Sequence, residues 1–131
     1  MAILARSNQV NFKRQEVIAR SFTINPNSNN DTITQATNRS TGVTVNTTSS
    51  QITTDTTSLA GAAEATFTVT NNKVTAKSVP VVAVASGATG TTLAYVSAVA
   101  LGSFDITVAN FHASTAETGA LVINFVILGV E

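Results

Sequence analysis

The chain has no cysteine and no tryptophan, one tyrosine (Tyr95), one histidine (His112) and two prolines in 131 residues. Without cysteine there is no disulfide framework and no thiolate metal site. Aromatic residues at 5% leave too little ring surface for stacking sugars or bases, which argues against a carbohydrate- or nucleic-acid-binding groove. Charge is scarce as well: seven basic and seven acidic residues cancel, and charged residues make up 11% of the chain. A generally basic polyanion binder and an acidic disordered tail are both excluded by that balance. The longest apolar stretch, residues 120–128, is interrupted by Asn124. It is too short for a spanning helix, which needs about 20 apolar residues, and reads as a buried strand. The opening MAILARSNQV places Arg6 before any apolar signal core could form, so no secretory leader is expected.

Threonine, serine, asparagine, alanine and valine fill the space left by these absences. Thr and Val are β-branched and favour strands, whereas Asn, Ser and Gly supply turns. Charge and hydropathy divide the chain in two. Residues 1–30 hold Arg6, Lys13, Arg14 and Arg20 against Glu16 alone, a net of +3, and the remainder is mildly acidic. This arm also carries Ile3, Leu4, Val10, Phe12, Val17, Ile18, Phe22 and Ile24, too apolar for a solvated tail. Residues 16–24 alternate as a strand, with Ile18, Phe22 and Ile24 on one side. The run Asn25-Pro26-Asn27-Ser28-Asn29-Asn30-Asp31 then separates the arm from a domain over 31–131.

Within that domain, short strands are expected at 32–36, 42–46, 51–54, 64–71, 79–85, 93–100, 104–109 and 121–127. Phe67, Val69, Phe104, Ile106, Val108, Leu121, Ile123 and Phe125 are the expected core. The unbroken apolar run 79–85 predicts a central strand covered on both faces, with Pro80 at its start or in a bulge. No helical period of useful length occurs. The expected fold is an all-β antiparallel sandwich, a jelly roll first and an immunoglobulin-like Greek key second.

Catalytic chemistry finds little support. His112 lies in a loop, with Glu117 or Asp105 as conceivable partners, but no nucleophile motif accompanies it. Gly87-Ala88-Thr89-Gly90 lacks the lysine and the helix of a phosphate loop and reads as a turn. The acidic residues are scattered without calcium-loop spacing, so neither a metal nor a cofactor is expected. The arm is the one feature with an evident binding role. Four charges mixed with apolar side chains grip a polyanion poorly and suit a protein surface better. Arg6, Phe12, Lys13, Arg14, Val17, Ile18, Arg20 and Phe22 are the candidate contacts with a partner protein.

From Asp31 onward the sequence reads DTITQATNRSTGVTVN, then TFTVTN, VPVVAVASGATG, GSFDITVAN and ALVINF. In order and spacing, over residues 31–128, these blocks resemble the capsid decoration (cement) proteins of tailed bacteriophages. The resemblance implies a small jelly-roll-like virion protein, made in the bacterial host cytoplasm and placed on the outer surface of an HK97-type head shell. Its implied partners are the major capsid protein and other copies of itself, as a dimer or trimer, with no enzymatic activity and no nucleic-acid or membrane partner. A tail, fibre or head-fibre component is the nearest alternative, and a carbohydrate- or receptor-binding module the next.

Overall fold

The structure, a computed structural model, describes residues 32–129. The arm and its candidate contact residues Arg6, Phe12, Lys13, Arg14, Val17, Ile18, Arg20 and Phe22 lie outside the described residues, as does the expected strand over 16–24.

Among the described residues the chain forms strands and loops, without helices. The strands are β1 (Thr32–Thr34), β2 (Val43–Thr44), β3 (Ser49–Thr53), β4 (Glu64–Thr70), β5 (Val79–Ser86), β6 (Thr92–Ala100), β7 (Ser103–Asn110) and β8 (Val122–Leu128). They build two four-stranded sheets, β1-β3-β8-β5 and β2-β4-β7-β6. Alternation sets which side chains each strand buries. On β4, Phe67 and Val69 are buried while Thr66, Thr68 and Thr70 are exposed. On β8, Ile123, Phe125 and Ile127 point inward. Side chains from both sheets merge into one core, in which the rings of Phe104 and Phe125 meet edge-on with centroids 5.5 Å apart. All eight expected core residues are buried there.

Two expectations need correction. The sheets are mixed, not antiparallel: β1 runs parallel to β3, and β2 parallel to β4. The reason is connectivity. Every connection except the β6–β7 hairpin passes to the other sheet. The chain leaving β1 therefore returns to the first sheet only after β2, pointing the same way, and a parallel pair requires such a crossover. The second correction concerns β5, which is an edge strand. Val79 and Val81 are each 46% exposed, so the apolar run is not covered on both faces. An edge position also explains how Pro80, buried and opposite Ile127, is tolerated within a strand. A register shift between Val84 and Ser86 adds an irregularity that discourages further pairing along that edge.

Strand directions sort the loops between two ends. Loops 35–42, 54–63, 87–91 and 111–121 gather at one end, the loop end. At the opposite end lie loops 45–48 and 71–78, the two-residue turn Leu101-Gly102, the start of β1 and the finish of β8. Gly102 has φ +82°, which the hairpin turn requires and a side chain would resist.

Candidate functional site

The loop end is held by two buried charges. Glu117 is 0% exposed and Arg39 is 3% exposed. The Glu117 Oε2 accepts hydrogen bonds from the Thr89 amide (2.8 Å), the Thr89 hydroxyl (2.8 Å) and the Thr92 hydroxyl (2.9 Å). Its Oε1 accepts from the Gly119 amide at 3.0 Å, and its backbone pairs in both directions with Leu59. Burial alone would raise the Glu117 pKa. The donated bonds from Thr89, Gly119 and Thr92 outweigh burial and hold it at about 2. Arg39 donates to the Thr54 hydroxyl at 3.0 Å, the Gly119 carbonyl at 2.7 Å and the Thr57 carbonyl. Desolvation lowers the Arg39 pKa, while the negative charges of Glu117 and Asp55 oppose that shift. Together the two side chains tie all four loops of this end to one another. Asn110 adds to the lock by donating to the carbonyls of Leu59 and Thr115 at 3.1 and 2.8 Å.

This cluster is built for structure. A carboxylate with four donors on it and a pKa near 2 has no basicity left for proton abstraction. Gly87, with φ +91°, turns the chain beneath it, and a Cβ there would fall 2.0 Å from the Ala120 carbonyl oxygen. The Gly87–Gly90 segment lies in the loop that joins β5 to β6, and its Thr89 anchors Glu117. His112 lies in an exposed loop, where its Nδ1 accepts from the amides of Ser114 (3.2 Å) and Thr115 (2.8 Å). Neither carboxylate named beside it is its partner: Glu117 is committed to the loop clasp, and Asp105 accepts from the Thr68 hydroxyl at 2.7 Å. Among the described residues, no group of three or more His, Asp or Glu side chains is placed to hold a metal ion, and no helix is long and apolar enough to cross a membrane.

Large apolar side chains stand exposed on the outward faces of the two sheets and at adjoining turns. On the second sheet, Thr66, Thr107 and Ser97 form a ladder of hydroxyls, linked at 2.8 and 2.9 Å. Beside it stand exposed Leu93, Tyr95 and Phe111, and Leu101 at the hairpin turn is 81% exposed. On the first sheet, Val79 faces Leu128 and Val81 faces Val126, a square of apolar side chains on directly paired positions. Beyond that square a polar row follows, in which Gln51 donates to Asn124 at 2.9 Å. These patches escape the sequence reading because apolar residues on a strand carry the same signal whether a neighbour covers them or not. The chain matches no protein-family model, no curated protein and no solved structure. The residues themselves therefore bear the functional argument.

Proposed function

We propose that this chain is a structural virion protein without enzymatic activity, which binds the outer surface of a phage head and stabilises the shell. The observation that carries this reading is the division of labour among its polar and apolar groups. The buried ionic residues Arg39 and Glu117 are spent on holding loops, while large apolar side chains (Val79, Val81, Leu93, Tyr95, Leu101, Phe111 and Leu128) are exposed on the sheet faces and at turns. Exposed apolar patches on a rigid frame suit a molecule that works by contact. The resemblance of the blocks over 31–128 to decoration proteins supports the setting. In this reading the pair of four-stranded sheets, with strands alternating between them, is jelly-roll-like; the parallel edge pairs β1–β3 and β2–β4 are its departure from that pattern. The basic, apolar arm supplies attachment to the major capsid protein. Several weak contacts made at once, by copies on a symmetric shell, multiply into strong retention.

The test is reconstitution. Purified full-length protein is added to undecorated heads, unbound protein is removed, and copies are counted against the major capsid protein. Saturation at hundreds of copies per particle, with heads that then resist heat better, is the expected result. Saturation at a few dozen assigns the chain to the tail or fibres, and no binding removes the virion reading.

A further inference from the structure

Exposed charge is divided between the two ends of the domain. Lys73 and Lys77 are both exposed in loop 71–78, at the end that carries the Leu101-Gly102 turn. Asp55 and Glu64 stand in or next to loop 54–63 at the loop end, where the opposite charges of Arg39 and Glu117 are buried and cancel. The length of β4 separates the two groups by roughly 20 Å, more than twice the screening length of about 8 Å at physiological salt. Each end therefore meets a partner with its own sign. The chain also enters β1 from the lysine end, and the sequence before it is basic, with four basic residues against one acidic over 1–30.

At this positive end Leu101 is 81% exposed, more than any other large apolar side chain among the described residues. The turn does not ask for it. Gly102 supplies the positive φ of the two-residue connection, and Leu101 keeps a negative φ that any side chain tolerates. What the fold does is hold the leucine in place. The Gly102 amide donates to the Val74 carbonyl at 3.0 Å, and the Asn71 amide donates to the Gly102 carbonyl at 2.8 Å. Val74 is buried, and the buried Asn71 side chain donates to the Thr47 carbonyl at 2.8 Å, which ties in loop 45–48. Two successive turns, closed from the Val74 amide to the Asn71 carbonyl (3.1 Å) and from the Ser78 amide to the Thr75 carbonyl (3.0 Å), carry Lys73 and Lys77 at their corners. An apolar side chain fixed in advance, with cationic side chains around it, has the arrangement of a protein interface: an apolar centre and a polar rim.

We propose that the domain seats on its partner by this end, with Leu101 entering an apolar recess in a protein surface and Lys73 and Lys77 meeting carboxylates at the margin of that recess. Two lysines are too few to grip a polyanion, and a phosphate backbone offers a leucine nothing, whereas an acidic protein surface with a recess satisfies both. The lysines, opposite in sign to the far end, also orient the domain as it approaches such a surface. That the partner is the shell of a phage head rests on the virion reading. The seated domain keeps the apolar residues of its sheet faces open to neighbours on that shell.

The test measures binding of full-length variants to undecorated heads, with urea unfolding to show that each keeps wild-type stability. Leu101→Ser should weaken binding at least tenfold. Lys73→Gln combined with Lys77→Gln should weaken it at least fivefold, and what remains should depend less on salt than wild-type binding does. Ser58→Glu combined with Ala60→Glu changes the net charge equally at exposed positions of the loop end and should leave affinity within twofold. Should Leu101→Ser fall short of wild-type stability, Leu101→Asn, suited to a turn, makes the same measurement. Binding within twofold of wild type for both the position-101 variant and the paired glutamines overturns the inference and leaves the virion reading standing. An equal loss from the loop-end glutamates also overturns it, since net charge alone would then govern binding. So does a loss with the glutamines and none at position 101, the mark of a simple polyanion such as nucleic acid or lipid. Heads that take up no wild-type protein overturn the virion reading and the inference together, a failure visible before any variant is compared.

Discussion

Replacing Glu117 with Gln keeps the shape of the side chain and removes its charge. The carboxylate receives four hydrogen bonds, three on Oε2 and one on Oε1, at 2.8–3.0 Å. An amide presents a single oxygen, so its NH2 group must face either the Gly119 amide or the Thr89 and Thr92 donors. Charge-assisted bonds give way to neutral ones, each weaker by roughly 1 kcal/mol, and at least one buried donor is left unpaired at about 1–3 kcal/mol. Arg39 also loses the opposite charge that compensates for its burial. A loss of about 3–5 kcal/mol follows from the weakened bonds and the unpaired donor together. For a domain of this size that lowers the midpoint of thermal unfolding by roughly 12 °C or more. Urea unfolding followed by circular dichroism measures it, and the pH dependence identifies the cause. The Glu117 pKa is depressed in the folded protein, from 4.5 to about 2. Its contribution is therefore fully present above pH 4.5 and drains away as pH falls through 2. The stability gap between wild type and variant should be widest at pH 7 and clearly narrower at pH 3. A variant within about 0.5 kcal/mol of wild type, or a gap of equal size at both pH values, refutes the clasp, since ordinary surface substitutions stay within that limit.

Phe104→Ala and Phe125→Ala should each cost about 3–5 kcal/mol in the same urea titration, because each ring is buried against the other. Gly87→Ala should destabilise by well over 1 kcal/mol, with both a positive φ and the Ala120 carbonyl in the way; Gly102→Ala, whose Cβ would meet open space, should cost about 1 kcal/mol from φ alone. Unfolding midpoints of the two variants in parallel check that order. His112→Ala should leave stability within about 0.5 kcal/mol of wild type and head binding unchanged, since its exposed ring accepts from two local amides; a loss of binding would give the residue a contact role.

Alternation and turn residues place the strands well. The stretches 64–71, 104–109 and 121–127 read from sequence coincide with β4, β7 and β8 to within a residue or two, because inward apolar residues alternate with Thr66, Thr68 and Thr70 on β4, with Asp105 and Thr107 on β7 and with Asn124 on β8, although Thr107 on the central strand β7 is itself buried. Residues 79–85 misled for a physical reason. An apolar run reports side-chain type, and Val79 and Val81 would read the same in a covered central strand as on the open edge they occupy. The parallel pairing of β1 and β2 was equally invisible. Strands of three and two residues carry no periodicity, and their partners are chosen by contacts across the sheet. The Arg39–Glu117 clasp was missed because its members are 78 residues apart, and an isolated charge in sequence ordinarily means a solvated one. The one clue was context: Glu117 stands between Ala116 and Thr118-Gly119 without another charge nearby, in a chain that uses charge sparingly.

Such a clasp is an unusual expense for a domain with so few charges, since an apolar cluster of similar volume often stabilises as well or better. Its geometry suggests what apolar packing could not supply. Arg39, in loop 35–42, reaches backbone carbonyls of loops 54–63 and 111–121, and Glu117, in loop 111–121, reaches the backbone amides of Thr89 in loop 87–91 and of Gly119 in its own loop. Apolar contacts would hold those loops close without fixing their register, whereas directed bonds to named backbone atoms admit one arrangement. The consequence reaches the contact surfaces. Loop 87–91 joins β5 to β6, so fixing Thr89 and Thr92 sets the relative position of the two edge strands that carry Val79, Val81, Leu93 and Tyr95. A surface held rigid before binding loses less entropy when it binds. Glu117→Gln in a fold that survives the change should therefore weaken the proposed head binding wherever β5 and β6 make the contact, seen as fewer copies retained per undecorated head, while leaving those side chains untouched.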